Sequence, residues 1–145
     1  MKHCPTNAPC PCGQRRGQGN TKAQPLSYGN CCGRYLDGDI PAPDAQALMR
    51  SRYCAFVLER ARYLLTTWHA SHRPSLNEFE AGVKWLGLEV RHFQPPTSEH
   101  PDAAEVEFVA RQKPASGAAV RLHERSRFVS EGGRWFYLYG VLHPD

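Results

Sequence analysis

The chain lacks any long apolar run. No apolar run follows Met1-Lys2-His3, and no apolar stretch of the 145 residues approaches membrane-spanning length. Neither a leader peptide nor a membrane span is expected, and the expected compartment is the cytoplasm. Aromatic residues are scarce at the start. Of fifteen, only Tyr28 and Tyr35 precede residue 44, while the same stretch holds six of the twelve glycines and six of the twelve prolines. Residues 1–43 therefore lack the material for a core of their own and need a staple. Residues 44–145 hold nearly all the core formers, and about 100 residues suffice for a core. Also missing are a Gly-rich phosphate loop, an H-E-x-x-H run and any defensible Ser-His-Asp order. No residue is assigned as catalytic, and no reaction is defined.

Four of the six cysteines stand in two tight clusters, Cys10-Pro11-Cys12-Gly13 and Cys31-Cys32-Gly33. In a reducing compartment such clusters favour metal over disulfides. Pro11 stiffens the first pair, and Gly13 permits the turn that brings both sulfurs to one side. Cys10, Cys12, Cys31 and Cys32 are thus the expected ligands of one structural Zn²⁺, a closed shell with no open position for catalysis. The first 43 residues carry five Lys/Arg against two Asp. That excess suggests an anionic partner, but four thiolates around Zn²⁺ would cancel most of it.

From residue 44 the pattern changes. Asp44 is a good N-cap, and Ala45, Leu48, Met49, Tyr53, Phe56 and Val57 recur at helical spacing, with Arg52 inside the stripe. A charge there must be paired or line a cavity. Cys54 points away from this stripe and reads as a packed small residue. A second helix is predicted over 60–68 and a shorter third from Ser75 or Asn77 to Lys84. Strands follow. Leu86, Leu88, Val90 and His92 share a face, Val106, Phe108 and Ala110 alternate with Glu105, Glu107 and Arg111, and Val120, Leu122, Glu124, Ser126 and Phe128 oppose Arg121, His123, Arg125 and Arg127. Glu131-Gly132-Gly133 signals a hairpin into a last strand, Trp135 to Leu142. Helices then antiparallel strands predict an α+β domain with helices on one face of a curved sheet. Glu124 is the anomaly on its apolar face, and pairing with Arg52 across the interior is expected.

Several motifs in order carry a family likeness. Cys-Pro-Cys-Gly followed by Cys-Cys-Gly-Arg-Tyr resembles the SEC-C motif, known from the tail of the SecA preprotein translocase motor. The run Leu48 to Phe56, with Thr67-Trp68-His69, Trp85-Leu86-Gly87-Leu88, Glu124 to Phe128 and Trp135-Phe136-Tyr137, resembles the YchJ-like family of bacterial proteins. The resemblance implies a SEC-C zinc module over 1–43 and a domain like nuclear transport factor two (NTF2) over 44–145. Such domains are cones, with helices covering a bent sheet around a pocket. It also implies a partner that is a protein or ribosome-associated, since in the translocase motor the SEC-C module contacts the chaperone SecB and the ribosome. The loop between Cys12 and Cys31 is about twice the usual length, which costs only about 0.6 kcal/mol in closure.

The expected pocket residues are Arg52, Tyr53, Trp68, His69, His92, Glu124 and Tyr137. The leading expectation is a zinc-binding adaptor docking through the SEC-C module, with the cone domain binding a peptide or small ligand or serving as scaffold. The alternative is a small pocket enzyme of hydrolase or isomerase type with structural zinc only. A wet cavity in which His69 faces Glu124 would favour the enzyme, and an interior filled by Trp68, Trp85 and Trp135 would oppose it. RNA binding through Arg15, Arg16, Lys22 and Arg34 is a third expectation.

Overall fold

The computed structural model describes residues 2–16, 24–75 and 78–143. A small antiparallel pair, β1 (Arg15–Arg16) and β2 (Gln24–Pro25), closes the base of the loop between the two cysteine clusters. A 3-10 turn (Tyr28–Asn30) and the one-turn helix α1 (Gly33–Leu36) flank Cys31 and Cys32. Helices α2 (Ala45–Val57) and α3 (Ala61–Thr66) follow. A four-stranded antiparallel sheet then runs in chain order: β3 (Lys84–Gln94), β4 (Ala103–Lys113), β5 (Val120–Glu131) and β6 (Arg134–Leu142). This is the expected α+β arrangement, a cysteine cluster followed by helices packed on a curved sheet.

The local reasons are those the residues supply. The Asp44 carboxylate accepts from Ala47 N at 2.8 Å, capping α2. Gly132 and Gly133 both hold positive φ, 60° and 81°, as a tight β5–β6 hairpin requires. Register then makes cross-strand charge pairs. Glu105 lies opposite Arg127 and Glu107 opposite Arg125, and Arg125, Arg127 and His123 all find carboxylates on β4. The basic face of β5 is therefore largely neutralised where it stands.

Helix α2 is buried on two sides, which is how so polar a helix is held. Met49, Arg52, Tyr53 and Phe56 face the sheet. Arg50 and Cys54 face the cysteine-bearing segment: Arg50 Nη1 donates to Cys12 O at 3.1 Å, and Cys54 Sγ lies 3.6 Å from Cys10 Sγ. One continuous apolar cluster thus runs from Cys12 and Tyr28 through Leu48 and Met49 to Val106 and Phe128. At the edge, Asp37 binds both Tyr28 Oη (2.8 Å) and Arg60 (2.6 Å).

Two expectations about elements fail. Among the described residues between 75 and 84 there is no third helix. Gly82 turns with φ 78° and the chain enters β3 directly, while Asn77 lies outside the described residues. The face of β3 is also not uniform. Register shifts between Trp85 and Gly87 and between Val90 and His92 rotate the strand, so Leu86 is exposed while Trp85, Leu88, Val90 and Phe93 turn inward. The bulge at Gly87 uses a φ of 143°, in the region that favours glycine.

Candidate metal centre and cone cavity

The two cysteine clusters converge. Cys10, Cys12, Cys32 and Cys54 present sulfurs that all lie within 4.8 Å of one another, and all four are buried. Cys31 borders the set, its sulfur 3.6 Å from Cys12 and 4.0 Å from Cys32, with a hydrogen bond to Gln14 Oε1 at 3.4 Å. Cys4 stands apart on the Pro5 carbonyl. A tetrahedral zinc site with bonds of about 2.3 Å places its sulfurs about 3.8 Å apart. The 3.6 Å between Cys10 and Cys54 is near that value, as are the 3.6 and 4.0 Å that Cys31 makes with Cys12 and Cys32, and the donor set is all sulfur. The thiols cannot all ionise on their own account. Hydrogen bonds from Cys10, then Cys31 and Cys32, push Cys12 down, while hydrogen bonds from Cys10 and Cys12 push Cys32 and Cys54 up. A dication at their centre would let four lose protons together. The Arg50 guanidinium lies against the cluster, with Nε buried and without a hydrogen-bond partner.

Cys54 is the residue that sequence reasoning missed. Read against the sheet-facing stripe, it points away, and so it does. The face it occupies is the one that meets the cysteine-bearing segment. Its spacing from Arg50 and Ala47 is helical, so a second buried face was available to see in the pattern.

The second feature is a cavity of about 350 Å³ between α2 and the sheet. Arg52, Tyr53, Trp68, Glu124 and Tyr137 line it. Trp85 forms another wall, whereas Trp135 lies over a separate hollow beside Tyr35 and Tyr63. The interior is therefore not filled by the three tryptophans. Arg52 is only 6 % exposed, and burial pulls its pKa down to about 10. Its guanidinium stacks on Tyr137 (4.5 Å) and Trp68 (5.0 Å), and Nη1 donates to Leu64 O and Thr67 Oγ1 at 2.8 and 2.7 Å. Glu124 accepts from Ser126 Oγ at 2.5 Å and lies over Gly140, where a Cβ would collide with its carboxylate. Tyr137 is pushed up to about 12, first by burial and then by the charge of Glu124. The expected ion pair is not made. Both groups border Tyr137, but the salt bridges among the described residues do not join them.

The two expected pocket histidines lie elsewhere. Trp68 bridges to Tyr137 in strand fashion, and alternation then turns Trp68 inward and His69 outward. His69 contacts Glu131 and Ser71, each at 2.7 Å. That serine, histidine and carboxylate lie in line at the surface. His92 is exposed because the bulge after Val90 flips it to the outer face opposite Glu107. Of the basic quartet, Arg15, Arg16 and Arg34 are exposed, Arg34 bonding Cys31 O, and Lys22 lies outside the described residues.

A bent antiparallel sheet covered by helices, entered from a cysteine-clustered segment, defines an NTF2-like cone carrying a SEC-C motif. The family model for the YchJ middle NTF2-like domain matches residues 44–140. The chain is 61% identical over 135 residues to a UPF0225 protein of Polaromonas sp. (strain JS666), covering 92% of each, and 58% identical over 134 residues to one of Polaromonas naphthalenivorans, covering 91% and 96%. It therefore belongs to the YchJ, or UPF0225, family. Two solved structures are similar. One is the solution structure of a SEC-C motif containing protein from Rhodopseudomonas palustris (30% identity, TM-score 0.71, 83% of this chain and 95% of that one). The other is the crystal structure of a SEC-C motif containing protein from Psychrobacter arcticus (31%, TM-score 0.74, 97% and 85%). No helix among the described residues is long and apolar enough to cross a membrane.

Proposed function

We propose that this protein is a zinc-stapled adaptor. Zn²⁺ is held by Cys10, Cys12, Cys32 and Cys54, with Cys31, the fourth ligand expected from spacing, standing beside the site. The observation that supports this reading is the convergence of four buried sulfurs within 4.8 Å. The role of the ion is structural. A closed thiolate shell leaves no place for a substrate, and its binding energy fixes a segment too poor in apolar residues to order itself. Because one ligand comes from α2, the ion also clamps that segment to the cone. The rigid surface so formed docks a protein or ribosome-associated partner, as the SEC-C resemblance implies. A cytoplasmic location goes with this reading, since the six thiols stay reduced there.

The enzyme alternative has less behind it. Among the described residues that line the cavity there is no histidine, and Glu124 is tied to Ser126. The titratable groups this lining offers a hydrolase or isomerase are Arg52, Glu124 and the phenols of Tyr53 and Tyr137, the last held by the Glu124 carboxylate. RNA binding has exposed Arg15, Arg16 and Arg34 in its favour, but the cluster's own negative charge opposes it. The test is metal analysis of native protein, then capture from lysate with and without a chelator. One zinc per chain, and partners lost on chelation, support the adaptor. Native protein without zinc overturns it.

A further inference from the structure

The cone cavity carries an inference of its own, independent of the metal. Its walls are mainly apolar and rich in aromatic rings, with Trp68, Trp85, Tyr53 and Phe108 among them, and its volume of about 350 Å³ is that of a small-molecule site. Leu142 marks the mouth, lining the cavity while remaining 64 % exposed. Inside are two groups of opposite charge. Arg52 uses Nη1 for protein contacts, whereas Nε and Nη2 have no protein partner among the described residues. Glu124 accepts hydrogen bonds from Ser126 and Tyr137, which still leaves lone pairs on its carboxylate unused. The two groups border the same ring, Tyr137, yet do not pair.

Buried charges are held close to their counter-ions unless something else is to go between them. Arg52 is fixed instead by two aromatic faces, a carbonyl and a hydroxyl. Glu124 is fixed by Ser126 and by the flat backbone of Gly140. Both are thus immobilised before any ligand arrives, and each keeps hydrogen-bonding capacity directed at a shared space. An anion entering there would gain from Arg52 and lose to Glu124, and a cation the reverse. A molecule bearing both signs gains from both, and an apolar body would fill the aromatic walls.

We propose that the cone cavity binds a small zwitterion with an apolar side chain, of the class of free aromatic or branched-chain α-amino acids, its carboxylate on Arg52 and its ammonium on Glu124. The zinc reading can fail without touching this one, since none of the four clustered cysteines lines the cavity.

The test is isothermal titration calorimetry on the full-length protein as purified. The probes are L-phenylalanine, L-tryptophan and L-leucine, with the deamino and decarboxy analogue of each (for phenylalanine, 3-phenylpropanoate and 2-phenylethylamine). At least one amino acid is expected to bind, and its two single-charge analogues to bind at least about tenfold more weakly, each having lost a charge-assisted contact. Glu124→Gln should reverse the order of the amino acid and its deamino analogue, and Arg52→Met should weaken both. Two results overturn the proposal: no binding by any of the three amino acids at millimolar concentration, or a deamino analogue binding wild type as tightly as its parent.

Discussion

The sulfur of Cys54 stands 3.6 Å from that of Cys10, across 44 residues of chain and between two different parts of the fold. On the proposed zinc reading, this contact changes what the metal would do. A site confined to the N-terminal segment would only order that segment, whereas a site that includes Cys54 ties it to the longest helix. Structural zinc is worth roughly 10–16 kcal/mol apparent in small peptides, so one ligand of four accounts for roughly 2–4 kcal/mol. Cys54→Ser is therefore expected to weaken zinc at least tenfold in chelator competition and to lower the melting temperature, while Cys31→Ser leaves both nearly unchanged. The reverse order of the two variants would return the fourth position to Cys31.

Much of this was legible in the sequence, and the failures have a common cause. The N-cap at Asp44, the hairpin at Gly132-Gly133 and the alternation along β5 are local signals, and local signals decide them. Cys10, Cys12 and Cys32 came from spacing alone. Cys54 did not, because its burial depends on a surface 44 residues away in sequence. His92 and Leu86 were misplaced because a period of two survives only until the first bulge, and β3 has two. His69 was misplaced because its last helical turn gives way to a bridge with β6, and that changes the period from 3.6 to 2. Arg52 was correctly seen as buried, but its partners are aromatic faces and backbone, which no charge pattern reveals.

Gly140 supports the cavity through what it lacks. Its backbone is in an ordinary conformation, so the constraint is space alone: a Cβ there would occupy the place of the Glu124 carboxylate. The far end of a flexible side chain can move, so Gly140→Ala should fold. The displaced carboxylate would lose Ser126, at a cost of about 1–2 kcal/mol. Denaturant unfolding should register that loss, and Glu124→Gln/Gly140→Ala should show less than the sum of the single changes. Full additivity would mean that the two residues do not meet.

Arg52 is a charge kept in an apolar interior without a carboxylate against it. Removing one member of a buried ion pair is costly because it strands the other charge, but among the described residues no carboxylate is paired with Arg52 to be stranded. Leu64 O and Thr67 Oγ1, which it bonds, also contact each other at 3.4 Å, and Thr67 Oγ1 donates to Tyr63 O at 2.7 Å. Arg52→Met should accordingly lie within about 1–2 kcal/mol of wild type in urea unfolding. A loss well beyond that would make the guanidinium a structural post.

Buried tyrosines set the alkaline limit of the fold. Burial pushes Tyr53, Tyr63 and Tyr137 each up to about 12. The Gly87 backbone opposes this at Tyr53, the Ser51 hydrogen bond opposes it at Tyr63, and the charge of Glu124 adds to it at Tyr137. In the unfolded chain the same phenols ionise near 10. Between these values the folded state holds more protons than the unfolded state, so stability is intact below about pH 10 and falls as pH rises toward 12. With these three groups alone, Tyr28 and Tyr35 being raised by burial as well, the slope reaches about 4 kcal/mol per pH unit, which exhausts a typical domain's stability within one or two units. Phenolate absorbance at 295 nm should therefore rise late and cooperatively in native protein, together with loss of near-ultraviolet circular dichroism, and early and gradually in urea. Native protein whose Tyr53, Tyr63 and Tyr137 phenols ionise near pH 10 with the fold intact would contradict the burial of these rings around α2 and the cavity.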